Sequence, residues 1–228
     1  KGRSFQGWQI PIYTRKNFIN STIKDINIKS LIDSLKKNQV PVVSGFQGMN
    51  DEKRITTLGR GGSETTAIAL AAKLKAVRCD IYTDVDGVYT GDPRITLNAK
   101  KMNTINFEEM LELSSLGAKV LHTRSVQLAL QYGVKLQVLS SFTGKKGTML
   151  TKDIKSLENQ VVRGIAHSSN EALVSLVDIK NKPGISAVIF NALALEGINV
   201  DMIVQSSSLK DEKVTYSYTV SKSDANKT

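Results

Sequence analysis

The strongest constraint on the fold is the repeated switch between helical and strand spacing of the apolar residues. Ile28, Leu31, Ile32 and Leu35 fall at i, i+3, i+4 and i+7, one face of a helix, and "VPVVSGF" (Val40 to Phe46) follows as an apolar run entering a glycine turn, the mark of a buried strand. A second helix is expected from about Ser63 to Ala76, and "RCDIYTDV" (Arg78 to Val85) reads as the next strand, closed by Asp86-Gly87. Asn106 and Glu109 have the spacing of a capping box, ahead of a helix that stops near Gly117. Another helix is expected from about Arg124 to Tyr132, ended by Gly133, after which Val134, Leu136 and Val138 alternate with polar residues as a strand. Strands separated by helices predict an α/β sheet, mostly parallel.

The character changes after Gly147-Thr148. "EALVSLVDI" (Glu171 to Ile179) reads as a strand, Ile185, Val188, Ile189, Ala192 and Leu193 make a helical face ended by Gly197, and "INVDMIV" and "KVTYSYTV" are two further strands. In the last of these Val214, Tyr216, Tyr218 and Val220 share one face. The order β-α-β-β is the front of a ferredoxin-like unit, without its second helix and last strand, and it is expected to leave a sheet face exposed. We therefore divide the chain into domains 1–150 and 151–228. The second is expected to be truncated, and a start at Lys-Gly-Arg without Met is read as a fragment.

Composition excludes several functions. No apolar run approaches the roughly 18 residues that span a membrane, and one cysteine, Cys79, rules out an internal disulfide. With only His122 and His167 beside it there is no ligand set for a structural zinc, so no metal site is assigned to the protein's own side chains, and a reducing cytoplasm is expected. The net charge of +10 lies in the first domain, which has 22 Lys/Arg against 12 Asp/Glu, while residues 151 to 228 have nine of each. The basic residues are scattered, with no stripe interleaved with aromatics and no recognition-helix pattern. Neither nucleic acid nor membrane is an expected partner; a basic cleft for phosphates and carboxylates explains the sign.

Three stretches carry chemistry. "TTLGRGGSETTAIALAAKLKA" (Thr56 to Ala76) lacks the lysine of a P-loop, but its glycines allow close backbone approach and the helix start beside Ser63 suits an anion. Arg60 adds a planar fork for a carboxylate and Glu64 the opposite charge, which together match the two ends of an α-amino acid. A helix cap with a solvated Arg/Glu pair fits the same residues. "YTDVDGVYTGDPR" (Tyr82 to Arg94) sets Thr83, Asp84, Asp86 and Asp92 just past the carboxyl end of a strand, where open α/β sheets bind ligands. Such acids hold Mg²⁺, hydrogen-bond a ribose or face solvent, and Asp-Gly and Asp-Pro are also ordinary turn formers. "GAKVLHTRS" (Gly117 to Ser125) places Lys119, His122 and Arg124 at a helix junction, where a lone histidine is more often structural than catalytic.

In order and spacing these stretches, with Gly45-Phe46, "FEEMLELSSLGAKVLH" and Gly147-Thr148, resemble the aspartokinase family, and "KNKPGISAVIFNALALEGINVDMIVQ" (Lys180 to Gln205) is similar to its first ACT regulatory domain. Two positions depart from the family pattern: Glu64 stands where Asp is usual, and Thr123 where Pro often follows the histidine. The family's Lys-Phe-Gly-Gly-Thr-Ser stretch, with its catalytic lysine, is absent from this sequence. The resemblance implies a partial three-layer, carbamate-kinase-like amino acid kinase domain followed by a partial ferredoxin-like ACT domain. It implies transfer of the ATP γ-phosphoryl group, with Mg²⁺, to the β-carboxylate of L-aspartate, the first step of lysine, threonine and methionine biosynthesis. It places Arg60 on the aspartate α-carboxylate, Phe46 and Ser63 in the pocket, and Glu64 at the amino group or the catalytic cation. Thr83, Asp84, Tyr89, Arg94 and Lys119 would hold the nucleotide, with Lys119 and Val120 near the adenine. It also implies homo-oligomers through paired ACT units, and an effector, lysine or threonine, near Asp201 and Gln205. The alternative is a non-catalytic regulatory or assembly module, and the missing lysine stretch leads us to expect the chain alone to be inactive.

Overall fold

The computed structural model describes residues 1–15, 18–152, 162–207 and 213–228. The chain divides into two compact units, Lys1–His167 and Ser168–Thr228. Residues 153–161 and 208–212 of the span assigned to the second domain lie outside the described residues.

The first unit begins with β1 (Gly2–Phe5), β2 (Ile12–Thr14), β3 (Ile23–Ile26), α1 (Lys29–Lys36) and β4 (Val40–Val43). It continues through β5 (Gln47–Met49), β6 (Ile55–Thr57), α2 (Gly62–Leu74), β7 (Cys79–Thr83) and β8 (Thr104–Asn106). The elements α3 (Phe107–Ser115), α4 (Thr123–Tyr132), β9 (Leu136–Ser140) and β10 (Thr148–Thr151) complete it. The capping box is present: the Glu109 N–H donates to Asn106 Oδ1 over 2.6 Å and the Asn106 N–H to Glu109 Oε2 over 3.1 Å. Gly133 ends α4 in the left-handed region.

Four strands form a sheet in the order β7-β9-β10-β8. The outer pairs, β7 with β9 and β10 with β8, are parallel, while β9 and β10 are antiparallel. Two of its three pairings are parallel, as expected, and the step from β9 to β10 is the exception. Only residues 141–147 separate β9 from β10, too few for the dozen or so that a parallel crossover needs. In β9, Leu136, Gln137, Val138 and Ser140 are all buried, because a strand paired on both edges has no solvent side to alternate toward.

Helix α2 is apolar around much of its circumference because it meets two cores. Ile68 and Ala71 join Val126 and Ala129 of α4 and Leu136 and Val138 of β9, whereas Ala69 joins Phe5, Ile12, Ile26 and Leu31. Two predicted burials fail nearby. Val40 and Val42 of β4 are 63% and 56% exposed, since among the described residues β4 pairs only with β1, and Ile32 and Leu35 of α1 are exposed while Leu31 is buried.

Chain direction sets the location of the site. Only residues 75–78 separate α2 from β7, so the helix runs antiparallel to the strand and starts at the strand's carboxyl end. Residues 133–135 join α4 to β9 in the same way. Because β7 and β9 are parallel, the N-termini of α2 and α4 gather at one carboxyl edge.

The second unit contains β11 (Glu171–Lys180), α5 (Ile185–Leu195), β12 (Val200–Ser207) and β13 (Lys213–Ser221), the predicted β-α-β-β order. The sheet is antiparallel, β11-β13-β12. Val214, Tyr216, Tyr218 and Val220 are buried together, and Phe190 of α5 meets Tyr216 and Tyr218 edge-to-face with centroids 6.4 and 5.7 Å apart. Leu173 and Val177 are exposed at 64% and 65%, in keeping with an uncovered sheet face.

Candidate active site

Gly59 and Gly61 both hold φ near +70°, and each faces a neighbour that excludes a side chain. A Cβ on Gly59 would collide with the Asn20 side chain, and one on Gly61 would lie 2.6 Å from His122 Cβ. Arg60, between them, is exposed, and its guanidinium makes no hydrogen bond or ion pair with the described residues. No side chain caps α2, and the N–H groups of Ser63 and Glu64 in its first turn have no acceptor among the described residues. Free amides, the positive end of a helix and an unpaired guanidinium therefore share one edge, an arrangement for a carboxylate.

Phe46 borders the same loop with φ +71°, a left-handed conformation rare for a large side chain and most frequent at ligand sites. It is locked there by its N–H to Thr66 Oγ1 at 3.2 Å and by its carbonyl, which accepts the Leu58 N–H at 2.9 Å. A Cβ on Gly62 would lie 2.9 Å from Phe46 Cδ2, and one on Gly45 3.2 Å from Ser63 Cα, so Phe46 and Ser63 are neighbours. Glu64 is half-buried, and its Oε2 accepts the His122 N–H at 3.0 Å, which ties the first turn of α2 to the start of α4. His122 is the N-cap of α4, its Nδ1 accepting from the Arg124 N–H at 3.3 Å, which supports its structural reading.

Thr83 and Asp84 stand at the carboxyl end of β7, with the Thr83 hydroxyl donating to Asp84 Oδ1 at 3.0 Å. Further along the loop, Tyr89 donates to Asp86 Oδ1 at 2.8 Å and Lys101 to Asp86 Oδ2 at 3.2 Å. The Tyr89 hydrogen bond, aided by Lys101, holds the Asp86 carboxyl below its usual range, and Asp86 in turn raises the Tyr89 phenol. Arg94 grips Asp92 through two bonds, Nε to Oδ1 at 3.0 Å and Nη2 to Oδ2 at 2.8 Å, which draws the Asp92 carboxyl down to about 2. The Arg94 side chain is 81% exposed, so this fork is occupied but not shielded. Exposed Lys119 and half-buried Val120 lie in the turn before α4, and Val120 also packs on the main core. Asp201 and Gln205 are exposed on β12 of the second unit.

Sequence reasoning missed the supports. Thr148, fully buried, accepts the Val88 N–H at 2.8 Å and donates to the Met102 carbonyl at 2.6 Å, pinning both ends of the loop that carries Tyr89 and Arg94. Lys101 binds Asp86 and the Lys146 carbonyl. Arg163 pairs with Glu109 at 2.8 and 2.9 Å, while Ile165 donates its N–H to the Thr90 carbonyl. Among the described residues no group of three or more His, Cys, Asp or Glu converges on a metal position. Asp84, hydrogen-bonded to the Thr83 hydroxyl and in the field of Arg94, suits a Mg²⁺ that keeps most of its ligands from phosphates and water. No described helix is long and apolar enough to cross a membrane.

The amino acid kinase family matches residues 6–140, and an ACT domain matches residues 174–228. An aspartokinase from Helicobacter pylori (strain ATCC 700392 / 26695) is 47% identical over 229 residues, which cover 99% of this chain and 56% of that protein. The crystal structure of E. coli aspartokinase III in complex with lysine and aspartate (T-state) superposes with a TM-score of 0.77 at 30% identity, covering 100% of this chain and 51% of that one. The same enzyme in complex with aspartate and ADP (R-state) gives 0.77 and 30% over 97% and 49%. This chain spans about half the length of the curated relatives it matches. The α/β unit with its glycine loop at the carboxyl edge, the β-α-β-β unit that follows it in sequence and these likenesses agree: the chain belongs to the amino acid kinase family, as an aspartokinase-type kinase domain followed by an ACT domain.

Proposed function

We propose that the protein is an aspartate kinase, transferring the γ-phosphoryl group of ATP to the β-carboxylate of L-aspartate to give 4-phospho-L-aspartate. The observation that carries this reading is the unpaired Arg60 fork beside the free N–H groups of α2. The acceptor has a pKa of about 3.9 and is ionised at neutral pH, so it needs no general base. The barrier lies in bringing two anions together, and catalysis is positioning and charge neutralisation.

In this reading Arg60 takes the aspartate α-carboxylate with two parallel bonds, and Phe46 and Ser63 shape the pocket. Glu64 has one oxygen engaged by the His122 N–H, and its second oxygen serves the substrate amino group. Thr83, Asp84, Tyr89, Arg94, Lys119 and Val120 form the nucleotide side. Arg94 exchanges Asp92 for a phosphate, a cheap exchange because an exposed pair contributes little. When bound, Mg²⁺-ATP supplies the phosphoryl group and neutralises its charge.

Asp201 and Gln205 fall four residues apart on β12, across the register irregularity between Val200 and Ile203, and α5 opens behind Gly184 with no side-chain cap. We read the second unit as the place of an amino-acid effector, lysine or threonine, near Asp201 and Gln205, with the ACT units pairing in a homo-oligomer. The experiment is a coupled ADP-release assay on the full-length protein with ATP, Mg²⁺ and L-aspartate. Aspartate-dependent ADP supports the kinase. Lysine or threonine binding with no ADP release identifies a regulatory or assembly module instead.

A further inference from the structure

We propose that Arg124 is a positioning residue that fixes the glycine loop so that Arg60 meets the substrate carboxylate, an inference that rests on the aspartate reading above. Arg124 lies in the first turn of α4, and its guanidinium reaches two backbone segments. One Nη donates to the Leu58 carbonyl at 2.6 Å and the other to the Ser21 carbonyl at 2.8 Å. Leu58 immediately precedes Gly59. Its side chain is fully buried and its N–H is held by the Phe46 carbonyl, so Arg124 supplies the third fixed point of the residue that enters the loop. Ser21, 1% exposed, is pinned by its N–H to Thr57 O and its hydroxyl to Arg15 O. Its neighbour Asn20 is the wall against which Gly59 packs. The guanidinium therefore fastens both the loop and its wall to α4.

The same turn of α4 also holds the other end of the loop. The His122 N–H binds Glu64, and Gly61 lies against His122 Cβ. Residues 58 to 64 are thus anchored at both ends to one helix start, with Arg60 free between the anchors. No carboxylate among the described residues pairs with Arg124, and partial burial lowers its guanidinium below the usual value. A cation without a counter-charge is a costly way to satisfy two neutral carbonyls. What arginine offers over a smaller neutral donor is a rigid fork that spans two segments, which a lysine does not reproduce.

The test uses the full-length protein with Arg124→Lys, Arg124→Gln and Arg124→Ala, leaving Arg60 unchanged. Amide hydrogen exchange is followed across all peptides, and steady-state kinetics are measured separately for aspartate and ATP. The expected result is faster exchange confined to peptides over 18–22 and 56–64, with the aspartate KM raised about 10- to 100-fold and the ATP KM at the parent value. Free guanidinium should lower the aspartate KM of Arg124→Ala toward parent. Parent-like exchange in the loop overturns the proposal, as does a loosened loop with a parent-like aspartate KM. Faster exchange throughout the first unit in all three variants also overturns it, since the residue then serves only the fold. A parent protein that releases no ADP with aspartate defeats the aspartate reading instead, and the exchange data then decide by themselves whether Arg124 fixes the loop.

Discussion

Replacing Thr148 by valine should destabilise the first unit far more than its loss of a single hydroxyl suggests. The Met102 N–H donates directly to the Val88 carbonyl at 2.9 Å, but the reverse bond, Val88 N–H to Met102 carbonyl, is replaced by the Thr148 hydroxyl inserted between them. Valine has nearly the same shape and can do neither job. Val88 is 1% exposed and Thr148 is fully buried, so water cannot take the hydroxyl's place. An orphaned buried N–H costs about 1–3 kcal/mol and the lost bond to the carbonyl about 0.5–1.5 kcal/mol, a total of about 1.5–4.5 kcal/mol. For a unit of this size that lowers the melting temperature by roughly 3–18 °C. Serine keeps the hydroxyl and should lose only about 1 kcal/mol for the missing methyl. The chain carries its own probe for the assay. Cys79, its single cysteine, is buried in this unit, and burial pushes its thiol up to about 11, so a thiol reagent at pH 8 reads unfolding of the first unit without interference from the second. A Thr148→Val chain as stable as the parent, or a serine variant as damaged as the valine one, would refute the reasoning.

Arg60→Lys keeps the charge but loses the fork, and should raise the aspartate KM of the full-length enzyme by the equivalent of about 1.5–3 kcal/mol; an unchanged KM removes Arg60 from the site. Glu64→Gln keeps an oxygen for the His122 N–H but no charge, so thermal stability should hold while kcat falls, and turnover equal to the parent would sink the electrostatic role. Asp86 has a depressed carboxyl, so its contribution to stability is present above the unfolded value of about 3.9 and is lost as pH falls through the lower folded value; the gap in urea midpoint between parent and Asp86→Asn should close on acidification below about pH 4. A gap that persists to pH 2 contradicts this linkage. Asp201→Ala should relieve inhibition by lysine or threonine and leave uninhibited kcat near parental; inhibition of parent and variant alike by both amino acids, alone and together, disproves its regulatory role.

The fold was legible where local pattern and burial coincide. The capping box at Asn106 and Glu109, the stop at Gly133 and the shared face of Val214, Tyr216, Tyr218 and Val220 depend on residues a few positions apart, and all are present. Pattern failed where burial depends on a distant partner. "VPVVSGF" has the composition of a central strand, but β4 has one neighbour, and its valines alternate outward. The short strands β2, β3, β5, β6 and β8 span three or four residues each, less than one full period test can detect, and they form only because chain from elsewhere pairs with them. The antiparallel step from β9 to β10 was not foreseen; it arises because that return contains no helix, and a helix is what a parallel crossover would require.

The site divides along a similar line. Arg60 could be read from its flanking glycines, since a left-handed turn on each side projects the intervening side chain whatever the rest of the chain does. Glu64 was legible as a charge but not as a brace, because its partner is the N–H of a residue 58 positions away. Arg124 and Thr148 are harder still. Their acceptors and donors are backbone atoms of residues 66 and 103 positions away for Arg124, and 60 and 46 for Thr148. Every residue but proline carries the same N–H and every residue the same carbonyl, so such a partner leaves no mark on the sequence. A group that meets the substrate must differ chemically from its surroundings and is visible for that reason. A group that holds it in place needs only reach and direction, which follow from where α4 and β10 run, and this is why the bracing role of Arg124 had to be found from coordinates although the residue stood out beside His122 in the sequence.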